Sequence, residues 1–357
     1  MKLAPGARHI SNAGSRRAAL ASNWMLRPSL VLALLISPVY AQQVLVLVGS
    51  GSTVPAPLYN RWGQEFGKRN SKIQMRYLPV GTEEGIKQIS HGSGDFGAGE
   101  TPLSENHRKE DGLIELPVVL ISIVPVYNLP EVHQELRLSG EVLADIFLGS
   151  VRTWNAPQIA KLNPDVNLPN LPIHVIQRPA GKGSNYVFTD FLSKSSAKFR
   201  AQIGITQSPN WPVGESAERS SDMADKVKHQ PGSIGYVEYE YAVRDSIRQA
   251  AVQNLAGKFV TASPQGLAAA CQEVETPAWR NFSASLVNAR GDDSYPLTSF
   301  TWIYLRAKTS DSTRAAALSD FLTWIYSDGQ TLAEQEGYTA LPPKLQAELK
   351  KKLNELH

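Results

Sequence analysis

The chain has 357 residues, 42% of them hydrophobic, with 36 basic and 33 acidic side chains and a mean hydropathy of −0.24. That is long enough for two domains with sizeable cores and has the composition of a soluble globular protein. Residues 1–41 hold five of the basic side chains and none of the acidic ones, so the remainder carries a net −2. No basic stripe is left to suggest nucleic acid or a membrane surface.

The first 41 residues read as an export signal. Arg27 precedes the apolar run from Leu30 to Ile36, and Val39-Tyr40-Ala41 closes it as a small-residue cleavage site. The run is too short to span a bilayer as a helix. Ser15-Arg16-Arg17 leaves a twin-arginine route open. Cys271 is the single cysteine, which rules out an intramolecular disulfide, and its alanine-rich surroundings read as a packed helix.

Beyond Gln42, short β-rich runs alternate with longer helical ones. Strands are expected at Val44–Val48 and Ile73–Val80, and helices at Leu58–Arg69, with Leu58, Trp62 and Phe66 on one face, and at Gly85–His91. The apolar stretch Leu113–Tyr127 contains Pro117 and Pro125, too many prolines for a helix, and suits a strand passing from one lobe to another. A helix at Ser139–Leu148, a strand at Ile173–Ile176, a helix at Ser184–Leu192 and a strand at Ile234–Val237 follow. The chain closes with a strand at Thr301–Leu305 and a helix at Ala315–Tyr326. Such alternation predicts α/β layers over a largely parallel sheet, whose ligands sit at the strands' carboxyl ends.

The loop Arg178-Pro179-Ala180-Gly181-Lys182-Gly183-Ser184-Asn185 lies between a strand and a helix, and so does Gly49-Ser50-Gly51-Ser52-Thr53-Val54. Free N–H groups at a helix start, the helix dipole and a guanidinium fork together make an anion site. Gly81–Gly85 and Gly97-Ala98-Gly99-Glu100-Thr101-Pro102 are two further loops of this kind, and their spacing predicts convergence from two lobes. The seven histidines show no metal spacing, no Gly-x-Ser-x-Gly elbow is present, and Gly49-Ser50-Gly51 lacks the rest of a dinucleotide fingerprint.

From about Val48 to Tyr338 the chain resembles the phosphate-specific periplasmic binding proteins, the solute receptors of phosphate ABC importers. The resemblance is carried by Gly51-Ser52-Thr53-Val54-Pro55-Ala56-Pro57-Leu58-Tyr59, by the segment from Leu138 to Gly149, by Thr153-Trp154-Asn155 and Asn210-Trp211-Pro212-Val213-Gly214, and by the run from Pro231 to Tyr239. It implies a two-lobed periplasmic-binding-protein fold of type II, each lobe a mixed sheet flanked by helices, closing on an oxyanion. Lobe I is expected over 42–120 plus 296–357 and lobe II over 121–295.

The resemblance also implies site roles. The Thr53 hydroxyl, the Val54 amide and the Thr82 hydroxyl would hold phosphate oxygens, and Arg178 would supply the full positive charge. Lys182, Gly183 and Ser184 would donate at a helix start. Glu100 would be the acidic acceptor: an acceptor-only group admits protonated phosphate and clashes with sulfate. No cofactor or metal is expected. The implied partners are inorganic phosphate and an ABC permease with its ATPase, for a monomeric periplasmic receptor that is not an enzyme.

Three departures fall in this site. Glu100 stands where the family usually has aspartate, Glu83 and Glu84 replace small residues, and Ala180-Gly181-Lys182 replaces an aspartate-containing run. Glu83 and Glu84 read either as first-turn helix carboxylates or as partners for Lys182 or Arg178 across the cleft. The departures keep alternatives open: another oxyanion, or a sensing or adhesion module without transport. A phosphate-ester hydrolase would need a metal cluster or an activated nucleophile, and the sequence displays neither.

Overall fold

The computed structural model describes residues 44–272, 282 and 284–355. The predicted export segment lies outside the described residues. The chain begins with β1 (Leu45–Gly51), α1 (Ala56–Arg69), β2 (Ile73–Pro79), α2 (Thr82–Ser90), β3 (Phe96–Gly99) and α3 (Glu105–Lys109), then enters the long β4 (Leu113–Tyr127). Next come β5 (Arg137–Leu138), α4 (Gly140–Phe147), α5 (Pro157–Leu162), β6 (His174–Gln177), α6 (Gly183–Ser195) and α7 (Ala197–Gln202). They are followed by β7 (Glu215–Ser216), α8 (Ser220–His229), β8 (Ser233–Glu238), α9 (Tyr239–Arg244), β9 (Arg248–Gln249), β10 (Ala251–Gln253), β11 (Phe259–Val260) and α10 (Pro264–Gln272). The return leg is β12 (Thr298–Arg306), α11 (Ser312–Trp324), a π-helical turn (Ile325–Gly329), α12 (Gln330–Gln335) and α13 (Pro343–Glu355).

Local chemistry explains these boundaries. In α1, Leu58, Tyr59, Trp62 and Phe66 recur at helical spacing on the buried face, and Lys68 and Arg69 meet the negative end of the dipole. Ser139 starts α4 by accepting the amide of Val142, and Asp311 starts α11 by accepting that of Arg314. Two aromatic cores result. One joins Tyr59, Trp62, Phe66, Tyr77, Phe96, Phe321 and Trp324; the other joins Phe147, Phe188, Phe199, Trp211 and Tyr236.

The main sheet runs β2-β1-β3-β12-β4-β8-β6-β7, with β9 also on β4; β11-β10-β5 form a small second sheet. It is not largely parallel. Parallel pairing holds within β2-β1-β3 and within β8-β6-β7, whereas β12 is antiparallel to β3 and β4, and β4 to β8. Periodicity does not encode strand direction: β4 leaves the first half of the fold and β12 comes back into it.

A single strand does cover 113–127, as expected. Leu113–Ser122 of β4 pair with β12, and Ile123–Tyr127 pair with β8. Pro117 sits beside the register shift opposite Thr301 and Trp302, where a missing N–H is tolerated. At the crossing, the Ile123 amide donates to the Leu297 carbonyl at 3.0 Å, and the Tyr295 hydroxyl donates to the Ile123 carbonyl at 3.2 Å. Cys271 is buried in α10.

Candidate functional site

β1 ends at Gly51 and delivers Ser52, Thr53 and Val54 into a tightly held loop. The Ser52 amide donates to Ala98, Tyr77 donates to the Ser52 carbonyl at 2.8 Å, and Tyr338 donates to the Val54 carbonyl at 3.1 Å. The Val54 amide, expected to point at a ligand, donates within its own loop to Ser52 Oγ at 3.1 Å. Thr53 Oγ1 lies 3.5 Å from Arg178 Nη2, which donates to it.

α2 begins at Thr82, three residues earlier than its apolar pattern indicated. Gly81, with φ of 102°, turns the chain there, and its amide donates to the Gly51 carbonyl at 2.8 Å. Thr82 and Glu100 are fully buried. Thr82 donates to Glu100 Oε2 at 3.2 Å and Thr301, in β12, donates to Oε1 at 3.3 Å. Burial pushes the Glu100 carboxyl up to about 7; the hydroxyls draw it down, and the nearby Glu238 adds to the rise.

Arg178 follows β6 and is 1% exposed. Its Nη1 donates to Ser220 Oγ at 2.6 Å and its Nη2 to the Glu218 carbonyl at 3.1 Å. These two groups orient the guanidinium in place of an aspartate at position 180. Asn185 ties the loop down by donating to the carbonyls of Pro179 and Gln207, and Tyr236 donates to Asn185 Oδ1 while accepting the Arg178 amide. Arg178 Nε and Ser184 Oγ are buried without a partner, as is Oε1 of the neighbouring Gln177.

Lys182 caps α6 through its backbone position, and its ammonium is bound to the Glu218 carboxylate. At the start of that helix a methyl group on Gly183 would stand 2.6 Å from Thr82 Oγ1 and 3.0 Å from Glu100 Cδ. The Glu100 carboxylate therefore abuts the positive end of α6, and the methylene that distinguishes it from aspartate supplies the reach.

The expected charge exchange across the cleft is not found. Lys182 pairs with Glu218, Glu84 accepts from Gln88 and pairs with Lys87, and Glu83 accepts the Ser208 hydroxyl at 3.0 Å. The alternative, first-turn carboxylates of α2, is what the structure shows. Glu83 nonetheless joins two separated segments. Ser208 also accepts the Gly181 amide, the Glu83 amide donates to the Gly181 carbonyl at 3.4 Å, and Thr101 donates to Gln207 at 3.1 Å.

Thr53, Val54, Thr82, Glu100, Arg178, Lys182, Gly183 and Ser184 thus come together, although the Lys182 side chain turns away to Glu218. Sequence reasoning missed Thr301 at Glu100, Ser220 and Glu218 around Arg178, and the Ser208 contact. Only Thr301 left a signal, as a hydroxyl on a strand that is buried along its length.

A family model described as the PBP superfamily domain matches residues 37–329. The phosphate-binding protein PstS of Pasteurella multocida is 34% identical over 332 residues, covering 91% of this chain and 96% of that one. A high affinity periplasmic phosphate-binding protein, solved bound with phosphate, aligns with a TM-score of 0.69 at 20% identity over 86% of this chain and 93% of its own. An ABC-type phosphate transport receptor from Vibrio cholerae gives 0.57 at 15% identity, over 83% and 100%. These two structures share the fold. The chain belongs to the PBP superfamily and, within it, to the PstS family of phosphate-binding proteins.

Proposed function

We propose that this protein captures inorganic phosphate between its lobes, in the periplasm, and delivers it to an ABC permease and its ATPase without chemical change. The lobes are 42–120 plus 296–357 and 121–295; the change of β4 partner at Ser122–Ile123 supports that division. Thr53, Thr82, Arg178 and Ser184 are the side chains assigned to the ligand, with backbone donors at Val54 and at Lys182 to Ser184. The Val54 amide exchanges Ser52 for a phosphate oxygen.

The observation that carries this reading is the buried Glu100 carboxylate, held by hydroxyls and standing at the start of α6. A carboxylate only accepts, so it requires a ligand oxygen that still bears a proton, which phosphate has and sulfate lacks. A site built around such a hydrogen bond rejects an analogue without it by about 10⁴–10⁵-fold. Relatives named phosphate-binding proteins and a neighbour solved with phosphate support the same ligand.

Calorimetric titration with phosphate and with sulfate tests it. The wild type should bind phosphate and ignore sulfate, and E100Q, whose amide can donate, should narrow that gap sharply. An unchanged ratio in E100Q removes Glu100 from the discrimination. One observation favours a second reading, a module with another ligand: Glu100 itself lies against the helix start. No heat with phosphate or arsenate would select it.

A further inference from the structure

The turn after β3 carries Glu100 and then Thr101, and it is anchored from one cross-strand pair. Glu115 in β4 and Tyr304 in β12 stand opposite each other in the ladder, so their side chains share a face of the sheet. The Tyr304 hydroxyl donates to the Thr101 carbonyl at 2.6 Å. The Glu115 carboxylate accepts the Leu103 amide on Oε2 at 2.6 Å and Arg108 Nη1 on Oε1 at 2.7 Å. Glu115 is buried, whereas Arg108 is partly exposed. Taking a carboxylate out of water only to meet one arginine gains little. Here its second oxygen goes to a backbone amide two residues beyond Thr101.

Thr101 is the point at which this turn reaches a distant segment. Its hydroxyl donates to Gln207 Oε1 at 3.1 Å. The Gln207 carbonyl in turn accepts the Gly181 amide at 3.0 Å and Asn185 Nδ2 at 3.1 Å. The far end of the contact is thus fixed to the turn between Arg178 and α6. Thr101 belongs to the 42–120 stretch and Gln207 to 121–295, so under the proposed division this bond forms only when the lobes are shut.

We propose that Glu115, oriented by Arg108, is a positioning residue for phosphate retention: it holds the turn after β3 so that Thr101 meets Gln207 and the closed cleft keeps its ligand. This rests on the phosphate reading above and adds to it a determinant of release that lies outside the pocket. Thr101 supplies the contact, and Glu115 acts on it through the Leu103 amide. Both partners of Glu115 are donors, so a glutamine, with one acceptor and one donor head, can serve only one of them. Burial pushes the Glu115 carboxyl up to about 7, while the Leu103 amide and Arg108 draw it down. At about pH 8 it is therefore ionised and both oxygens accept.

Stopped-flow release of phosphate at about pH 8, from the wild type, E115Q, T101V and the double variant, tests this as a double-mutant cycle. T101V keeps the shape of the side chain and removes the donor. Each single variant should release phosphate roughly fivefold faster, the loss of one neutral hydrogen bond. The double variant should also be roughly fivefold faster, because without the Thr101 hydroxyl there is no contact left to position. Should E115Q not fold, R108Q, at a partly exposed position, takes its place, with release about two- to fivefold faster alone and no faster than T101V in combination. A carboxylate serving only the stability of the fold would lower the ligand-free melting temperature and leave release unchanged. One acting by another route would multiply with T101V, to about 25-fold. Either result overturns the proposal and leaves the phosphate reading intact. A wild type that binds no phosphate removes the phosphate reading, and this proposal with it.

Discussion

A single methyl group added at Gly183 should separate closure of the cleft from stability of the fold. The position is helical and has no positive φ, so alanine suits its backbone. The methyl would lie 2.6 Å from Thr82 Oγ1 and 3.0 Å from Glu100 Cδ, and nearer still to the carboxylate oxygen. Neither obstacle yields easily: Thr82 and Glu100 are fully buried, and two hydroxyls hold the carboxylate. Restoring ordinary contact at about 3.5 Å requires a shift of nearly 1 Å from Thr82 Oγ1 and of well over 1 Å from the carboxylate oxygen. Overpacking of that kind costs about 1–3 kcal/mol, and here it falls on the closed state alone. Phosphate affinity in G183A should therefore drop about 5- to 150-fold. The ligand-free melting temperature should hold or rise, because alanine restricts the unfolded chain by about 0.4–1 kcal/mol. Calorimetry together with thermal unfolding, with and without phosphate, measures both signs. If G183A binds phosphate as the wild type does, the contact between Gly183 and Glu100 is not part of the liganded state, and the account of closure fails.

Three further outcomes are expected. R178K keeps the charge but loses the fork that reaches Ser220 and the Glu218 carbonyl; titration should show phosphate binding weaker by about 10- to 150-fold, the loss of one or more charged hydrogen bonds. E83A removes the acceptor of Ser208; stopped-flow release of phosphate should quicken roughly fivefold, corresponding to about 1 kcal/mol of closed-state stability. The third concerns pH. The folded protein holds the Glu100 proton up to about 7, above its ordinary 4.5, so this group's stabilisation is complete below 4.5 and is lost as pH rises through about 7. The urea midpoint of the ligand-free protein should fall between about pH 5 and pH 8, and E100Q should flatten part of that fall.

Much of this site was legible because backbone geometry leaves marks in sequence. Glycines with positive φ at 51, 81 and 181 punctuate the strand ends, and the residues after them become loops and helix starts. The strand over 113–127 could be read from its unbroken apolar character and its prolines. What could not be read was contact between distant segments. Thr301 meets Glu100 across 201 positions, and Ser208 meets Glu83 across 125. The charge exchange failed for the same reason: Lys182 had a carboxylate available in its own neighbourhood, at Glu218. Nor did Ala180 signal that Ser220 would orient the guanidinium, since a serine at a helix start has many uses.

The partner change in β4 has a mechanical consequence. On either side of Ser122 the strand is laced into a ladder, so the two halves of the fold are joined by a stiff ribbon rather than a slack tether. In the proposed two-lobed reading, opening proceeds as torsion spread over a few peptide units near Ile123, where β4 pairs with the end of β8. The proposed swing of the lobes thereby turns on a single continuous strand, as on an axle.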